Sequence, residues 1–391
     1  MHVLHVTPYF PPTWAYGGIP RIVYGLSRAL VQQDVAVTVW TTDALDGSDR
    51  ALVPPERDHE GIRVRVSRNL SNRLAYRQQL FLPTSPRRAL SGLHGIGGGG
   101  VDLVHLHGHR HLLNNAAVAW CRRHNIPYVM TPNGTLPRHE QKVGVKALWD
   151  LVVSGRIPGG AEKMIAVSPA EVGQFLREGV PRERITQIPN GLMLEEFADL
   201  PERGAFKARW GVEGRIVAYL GQLSPRKGVE HLAEAFAGGA VPDATLVIGG
   251  NDMGAMATAR AAADPSVIFT GLLEGRDRLS LLVDADVVVY PSTDEVFGLV
   301  PFEGLMCGAP VVVGGDCGCG QLIGAAGAGL LMRHSDVEGL RARIRTLLDD
   351  PAASRAMVAR GRRYIEAKLS FEVVAREHRA LYAQVMREFR P

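Results

Sequence analysis

Asp286-Val-Val-Val-Tyr290-Pro-Ser-Thr-Asp-Glu295-Val-Phe-Gly298-Leu-Val-Pro-Phe-Glu303-Gly-Leu-Met-Cys-Gly308-Ala-Pro-Val311-Val-Val313 is the stretch that decides the fold. Val287 to Tyr290 is an apolar, β-branched run, Pro291 to Asp294 carries turn residues, a short amphipathic segment follows, and Val311 to Val313 is a second buried run. The order is strand, loop, helix, strand. Glu295 and Glu303 stand eight positions apart, with Phe297-Gly298-Leu299 between them at the expected helix entrance. Amides at a helix N-terminus lack intrahelical partners and carry partial positive charge, so this entrance is expected to attract phosphate. Carboxylates cannot hold phosphate and are expected to face hydroxyls; a sugar nucleotide offers both groups. Taken singly, Glu295 reads as a solvated loop acid and Glu303 as a helix-face acid. The combination is what is specific.

Working outward, the second half repeats a rhythm of strand, glycine and helix. Ile216 to Leu220 reads as a strand feeding Gly221-Gln222-Leu223-Ser224-Pro225-Arg226-Lys227-Gly228, with a helix from Val229. Lys227, at the end of a strand beside a glycine and a helix start, supplies fixed positive charge for a diphosphate, and Arg226 adds a cation capable of bidentate contact. A lone Arg-Lys pair would otherwise be two surface cations on a turn. Ala244 to Ile248 and Val267 to Phe269 read as further strands, and Asp336 to Arg345, Ala352 to Lys368 and Phe371 to Met386 as helices.

The first half begins the same way. Val3 to Val6 is a strand, Thr7 to Tyr16 a loop, and Gly17-Gly18 precede a helix expected from Pro20 onward, with Ile22, Val23, Leu26, Ala29 and Leu30 on one face. Two glycines after the first strand of an open α/β sheet let backbone approach a ligand. Strands are expected at Val35 to Trp40 and Ile62 to Val66. Val101 to His109 reads as a buried strand running into a loop, with His105 and His107 on one face. Four histidines at 105, 107, 109 and 111 suggest metal, but no acid or cysteine accompanies them. Asn114 to Arg123 reads as a helix, as does the stretch around Lys142 to Val153. Ser168-Pro-Ala-Glu171 has the form of a capping box. From Arg63 to Arg88 the chain carries Arg63, Arg65, Arg68, Arg73, Arg77, Arg87 and Arg88 and no acid. That segment is either a solvated basic face or a surface for anionic lipid headgroups or a diphosphate-bearing acceptor.

The 391 residues suffice for two domains, and 46% hydrophobic with 21% charged residues is ordinary for a globular protein. A net charge of +4 does not argue for nucleic acid. The four cysteines, Cys121, Cys307, Cys317 and Cys319, are too few and scattered for a disulfide framework, and reduced thiols are expected. With neither a secretory leader pattern nor an apolar run long enough to span a bilayer, the expected location is cytoplasmic, with any membrane contact peripheral.

Glu-x7-Glu with Phe-Gly inside it, Pro301 before the second acid and Cys-Gly-Ala-Pro-Val-Val after it resembles the retaining glycosyltransferases of family 4, also called group 1, which have the GT-B fold. The resemblance implies an α/β protein of two Rossmann-like doubly wound domains facing each other across a cleft: an acceptor domain at 1–195, a donor domain at 196–370, and a terminal helix at 371–391 crossing back to the first. It implies transfer of a hexose or N-acetylhexosamine from a nucleotide diphosphate sugar to an acceptor hydroxyl, with a UDP-sugar favoured over a GDP-sugar and neither metal nor cofactor. The acceptor would be a glycan, lipid-linked or small molecule.

By the same resemblance, Glu295 contacts donor sugar hydroxyls, Glu303 the ribose, and the amides of Phe297, Gly298 and Leu299 the sugar and diphosphate. Lys227 and Arg226 bind diphosphate, Gly17 and Gly18 form the glycine loop, Gly271 and Leu272 lie by the base, and His107 lies over the donor sugar. Catalysis would rest on His107, Glu295 and Lys227, with charge on the departing diphosphate stabilised electrostatically and no carboxylate nucleophile. Three positions depart from the family pattern: Gln222 stands where an Arg is usual, Asn133 where His is frequent, and Gln321 where an acid is common. A sugar-nucleotide epimerase of the same architecture, or a binder that has lost activity, are the rival readings.

Overall fold

The computed structural model describes residues 1–14, 16–94, 100–137 and 156–389. The helix expected around Lys142 to Val153 lies outside the described residues. The chain divides into two compact units, one formed by Met1–Leu192 with the segment from Leu369 onward, the other by Met193–Lys368.

The first unit is built on eight strands: β1 (His2–Val6), β2 (Ala36–Thr42), β3 (Glu56–His59), β4 (Ile62–Ser67), β5 (Leu103–His107), β6 (Tyr128–Thr131), β7 (Lys163–Ala166) and β8 (Ile185–Gln187). Their order is β3-β4-β2-β1-β5-β6-β7-β8, and every pair is parallel except β3 with β4. Strand alternation divides the sheet into two different faces. Leu4, Val6, Val104, Leu106, Met130 and Met164 enter one apolar core with Trp40 and Phe81. The residues between them, His5, His105 and His107, turn to the other face and are also buried.

The helix on the first strand loop runs Gly18–Val31, two residues longer at its start than expected. Its neighbour is the terminal helix Phe371–Phe389. Phe371 explains how they meet: a Cβ on Gly25 would lie 2.1 Å from its ring, and one on Gly191 2.4 Å. The ring therefore lies where two glycines leave room for it. At the same place Leu192 N donates to Leu369 O (2.7 Å) and Phe371 N to Leu192 O (3.3 Å), so the outgoing and returning chain run side by side.

The Arg-rich segment holds two short helices that its composition does not announce, Asn72–Gln78 and Pro86–Leu90. Arg63, Arg68, Arg73, Arg77, Arg87 and Arg88 are exposed, as are Leu70 and Leu74 beside them. Arg65 is different: its guanidinium donates to the carbonyls of Ala89 (2.9 Å) and Ser91 (2.5 Å) and serves the fold.

The second unit has six parallel strands, β9 (Arg215–Leu220), β10 (Ala244–Gly249), β11 (Ile268–Gly271), β12 (Val287–Tyr290), β13 (Val311–Gly314) and β14 (Leu330–Met332), in the order β11-β10-β9-β12-β13-β14. In chain order this is 3-2-1-4-5-6, the doubly wound nucleotide-binding arrangement. The buried Val287–Tyr290 and Val311–Gly314 runs are neighbours, which is why they carry apolar residues on both faces. No helix among the described residues is long and apolar enough to cross a membrane.

Candidate active site

In a 3-2-1-4-5-6 sheet the winding reverses between the first and fourth strands, and the crevice opens at their carboxyl ends. In the second unit those are β9 and β12. Lys227 follows β9 in the single 3-10 turn Pro225–Lys227, and Glu295 follows β12. The fold therefore brings the expected cation and the expected acid to one point. The Lys227 ammonium donates to Tyr290 Oη (2.5 Å) and pairs with the Glu295 carboxylate, while Tyr290 Oη donates to Glu295 Oε2 (3.2 Å). Lys227 is buried, an arrangement an ammonium tolerates because both partners accept from it. Burial works to raise the Glu295 carboxyl, but Lys227, with Arg226 and the Tyr290 hydroxyl, holds it below the usual carboxylate range. Tyr290, by contrast, is pushed well up by burial and by Glu295, and stays a neutral donor.

The loop between Glu295 and the Val300–Cys307 helix is fixed by close contacts. Gly298 has φ +84°, and a Cβ there would lie 3.0 Å from both Cys319 Sγ and the Tyr290 ring. The positive φ favours glycine, and any side chain there would press on both neighbours. Gly318 N donates to the Glu295 carbonyl (2.7 Å), tying the loop to the next helix, Gly318–Ala325. The Val300–Cys307 helix starts at Leu299 with no side-chain cap. Its dipole and first-turn amides suit an anion.

Glu303 lies in the first turn of that helix, is buried, and forms an ion pair with Arg278 Nη1 (2.5 Å). Arg278 comes from the helix Gly275–Asp284 and pairs through Nη2 with Glu196 (2.8 Å). Burial opposes its charge, yet the two acids raise its pKa further. Gly271 ends β11 with φ +74°, and Leu272 after it is exposed. At the departure from the family pattern, Gln222 is exposed and its backbone carbonyl accepts from Tyr219 Oη (2.9 Å). Cys317 and Cys319 are buried free thiols, 3.3 Å apart.

The first unit places Gly17 (φ +89°) at the N-cap of the helix that follows β1, again at a switch point, here between β1 and β5. His107 ends β5. Its imidazole is buried, stacks on His5 with ring centroids 5.0 Å apart, and shares a hydrogen bond between its Nε2 and His5 Nδ1 (2.8 Å). His107 Nδ1 and His5 Nε2 have no hydrogen-bond partner among the described residues. His105 is bonded to the Tyr382 hydroxyl and the Thr131 hydroxyl, both at 2.7 Å, so both of its ring nitrogens are engaged. Burial, and then neighbouring imidazoles, hold His5 at about 3 and His105 and His107 well below their ordinary value, so the cluster is neutral.

Ring nitrogens of His5, His105 and His107 lie within 4.8 Å of one another, the set among the described residues that most resembles a metal ligand group. It differs from the four clustered histidines of the sequence, since His5 joins and His109 and His111 drop out. Every ring of the set already shares a hydrogen bond with another ring or a hydroxyl, and both nitrogens of His105 are taken. The cluster fits a neutral hydrogen-bonded network better than a metal.

Asn133 sits in a left-handed turn (φ +52°) ahead of Gly134, whose N–H donates to the buried Glu171 carboxyl (2.6 Å). Ser168 caps its helix as expected, accepting from Glu171 N (3.3 Å), but the Glu171 carboxyl reaches Val167 N (2.8 Å) and Gly134 N instead of closing the box. Burial pushes that carboxyl up to about 7 against its two amide donors.

Two doubly wound sheets, one with a lysine and an acid paired at its switch point and a second acid in the next helix, are the architecture of a GT-B protein. Residues 17–191 match the model of the glycosyl transferase 4-like domain, and residues 202–364 that of glycosyl transferases group 1. The chain belongs to the group 1, or family 4, glycosyltransferases, and is a glycosyltransferase acting on a nucleotide sugar. A GDP-mannose-dependent alpha-mannosyltransferase of Mycobacterium tuberculosis is 29% identical over 82% of this chain and 81% of its own. Glycogen synthase of the same organism is 27% identical over 99% of this chain and 95% of its own. Among solved structures, sucrose-phosphate synthase from Thermosynechococcus elongatus is similar in fold, with a TM-score of 0.76 and 24% identity over 99% of both chains.

Tyr290, Arg278 and His5 are site features that the sequence did not disclose. Tyr290 closes the apolar run Val287 to Tyr290, His5 lies inside the strand Val3 to Val6, and Arg278 carries no motif of its own. The signal for Tyr290 was its polar tip at a strand's carboxyl end. The other two were invisible without the contacts.

Proposed function

We propose that the chain is a retaining transferase that binds a nucleoside diphosphate hexose in its second unit and transfers the hexosyl group to an acceptor hydroxyl. Lys227 and Arg226, with the amides around Gly298 and Leu299, take the diphosphate. Glu295 takes the sugar hydroxyls beside Phe297, Glu303 the ribose, and Gly271 with Leu272 the base. Gly17, Gly18 and His107 supply the contacts of the first unit. The observation that carries this reading is the Lys227–Glu295 pair at the β9/β12 switch point. A diphosphate arriving there exchanges Glu295 for phosphate on the ammonium and releases the carboxylate toward the sugar. Charge building on the departing diphosphate then meets cations and helix amides that are already in place.

For the donor, the sequence expectation was a UDP-sugar, whereas one relative over most of the chain carries GDP-mannose in its name and another is a glycogen synthase. The two names share no donor, and the reading stays at the class of nucleoside diphosphate hexoses. As acceptor surface, the exposed arginines with Leu70 and Leu74 suit anionic lipid headgroups.

The test is release of nucleotide from UDP-, GDP- and ADP-hexoses, alone and with candidate acceptors, with the anomeric configuration of product followed by NMR. Release with retained configuration supports the reading. Tight binding without release from any donor, or an inverted product, would refute it.

A further inference from the structure

Glu303 is assigned to the ribose, yet it is buried and already committed to a cation. A carboxylate has about four lone-pair sites on its two oxygens, so one can accept from a guanidinium and from hydroxyls at once. What the ribose then needs is a carboxylate that cannot turn away. Arg278 meets that need in a particular way. Its Nη1 forms an ion pair with Glu303 at 2.5 Å while its Nη2 donates a hydrogen bond to Glu196 at 2.8 Å, and its own side chain is 13% exposed. The planar fork is thereby held by two acids from different elements, the turn Leu194–Phe197 and the helix Val300–Cys307. A lysine ammonium has no such fork.

We infer that Arg278 is a positioning residue for donor binding, with Glu196 as its anchor: the guanidinium fixes the Glu303 carboxylate in the orientation that receives the ribose hydroxyls. The inference rests on the ribose role proposed for Glu303. Arg278 acts through Glu303, with which it is paired.

The experiment compares the affinity of GDP and UDP with that of their 2′,3′-dideoxy analogues, by calorimetry on the full chain. In the wild type the ribose hydroxyls contribute about tenfold or more, the usual strength of hydrogen bonds to a charged group. That ratio is expected to fall toward one in Arg278→Met. It should recover in part in Arg278→Lys, and drop by a smaller factor in Glu196→Gln. The dideoxy ligands should bind wild type and variants alike, which a general loss of structure would not allow. If Glu303→Gln keeps the wild-type ratio, the ribose role of Glu303 is wrong. If Glu303→Gln loses the ratio while Arg278→Lys and Glu196→Gln both keep it in full, the role of Arg278 is wrong and that of Glu303 stands. Should Arg278→Met fail to fold, those two milder variants decide the matter.

Discussion

The Lys227 ammonium and the Glu295 carboxylate, 68 residues apart in the chain, form an ion pair where the winding of the second sheet reverses. Removing the cation should act on both the ligand and the acid. Lys227→Met is expected to lower turnover of a nucleotide sugar by roughly 10²- to 10³-fold, as does loss of a preorganised charge at a reacting group. Wild-type activity in the variant would contradict the placement. The acid responds too. Because the folded pKa of Glu295 is depressed, its contribution to stability is present above the ordinary carboxyl value and is lost as pH falls through the lower folded one. Urea titrations below pH 5 should show that acid-side loss in wild type and a smaller one in Lys227→Met.

Gly298 offers a test of the loop without touching any charge. Alanine there is strained by the positive φ and meets Cys319 and Tyr290 at 3.0 Å. Gly298→Ala should destabilise the protein by about 1–3 kcal/mol and raise the donor KM by displacing the Tyr290 hydroxyl from Lys227. Normal KM and stability would show that the loop has room.

Glu171 predicts a pH dependence of the opposite sign to that of Glu295. Its folded pKa of about 7 lies above the ordinary 4.5, so the folded chain binds the proton more tightly than the unfolded one. Its contribution is full below about pH 4.5 and is lost as pH rises to 7, by at most about 3 kcal/mol. Denaturant midpoints measured across that range should decline in wild type more than in Glu171→Gln. Parallel curves would mean the carboxyl titrates normally.

Phe371 between Gly25 and Gly191 predicts two losses from opposite causes. Phe371→Ala leaves a cavity and should cost about 3–5 kcal/mol. Gly25→Ala crowds the ring and should cost about 1–3 kcal/mol. Calorimetry that finds either change neutral would refute the fit.

The exposed arginines of the 63–88 segment should bind vesicles containing phosphatidylglycerol and leave those of phosphatidylcholine alone, with binding weakened by salt. Flotation of Arg73→Glu/Arg77→Glu should fail. If wild type also stays unbound, the segment is a solvated face.

Much of the second unit was legible because its chemistry is local. Lys227 sits in a strand-glycine-helix turn, and Glu295 and Glu303 bracket a helix entrance, so short-range pattern was enough to single them out. The meeting of Lys227 and Glu295 at one switch point is a property of strand order, which no short stretch contains. The first unit was harder for the same reason. His105 and His107 were visible as one face of a strand, but His5 joins them from β1, about a hundred residues earlier, through sheet register. The edge strand β3 and the helices among the arginines went unread because they carry polar residues and little apolar periodicity. Arg278 shows the limit most sharply: nothing in Gly275–Asp284 distinguishes it until two distant acids close on it.

The hydrogen bonds that join Leu192 to Leu369 and Phe371 also bear on the order in which the molecule can be made. A ribosome releases the unit carrying Lys227 and Glu295 as one uninterrupted stretch, complete once Lys368 has emerged. The other unit, although most of it precedes that stretch in the chain, still lacks the aromatic ring that lies against Gly25 and Gly191 and the Tyr382 hydroxyl that bonds to His105. Only when the segment from Leu369 onward has followed can this unit close its histidine-bearing face with Tyr382 and Phe371.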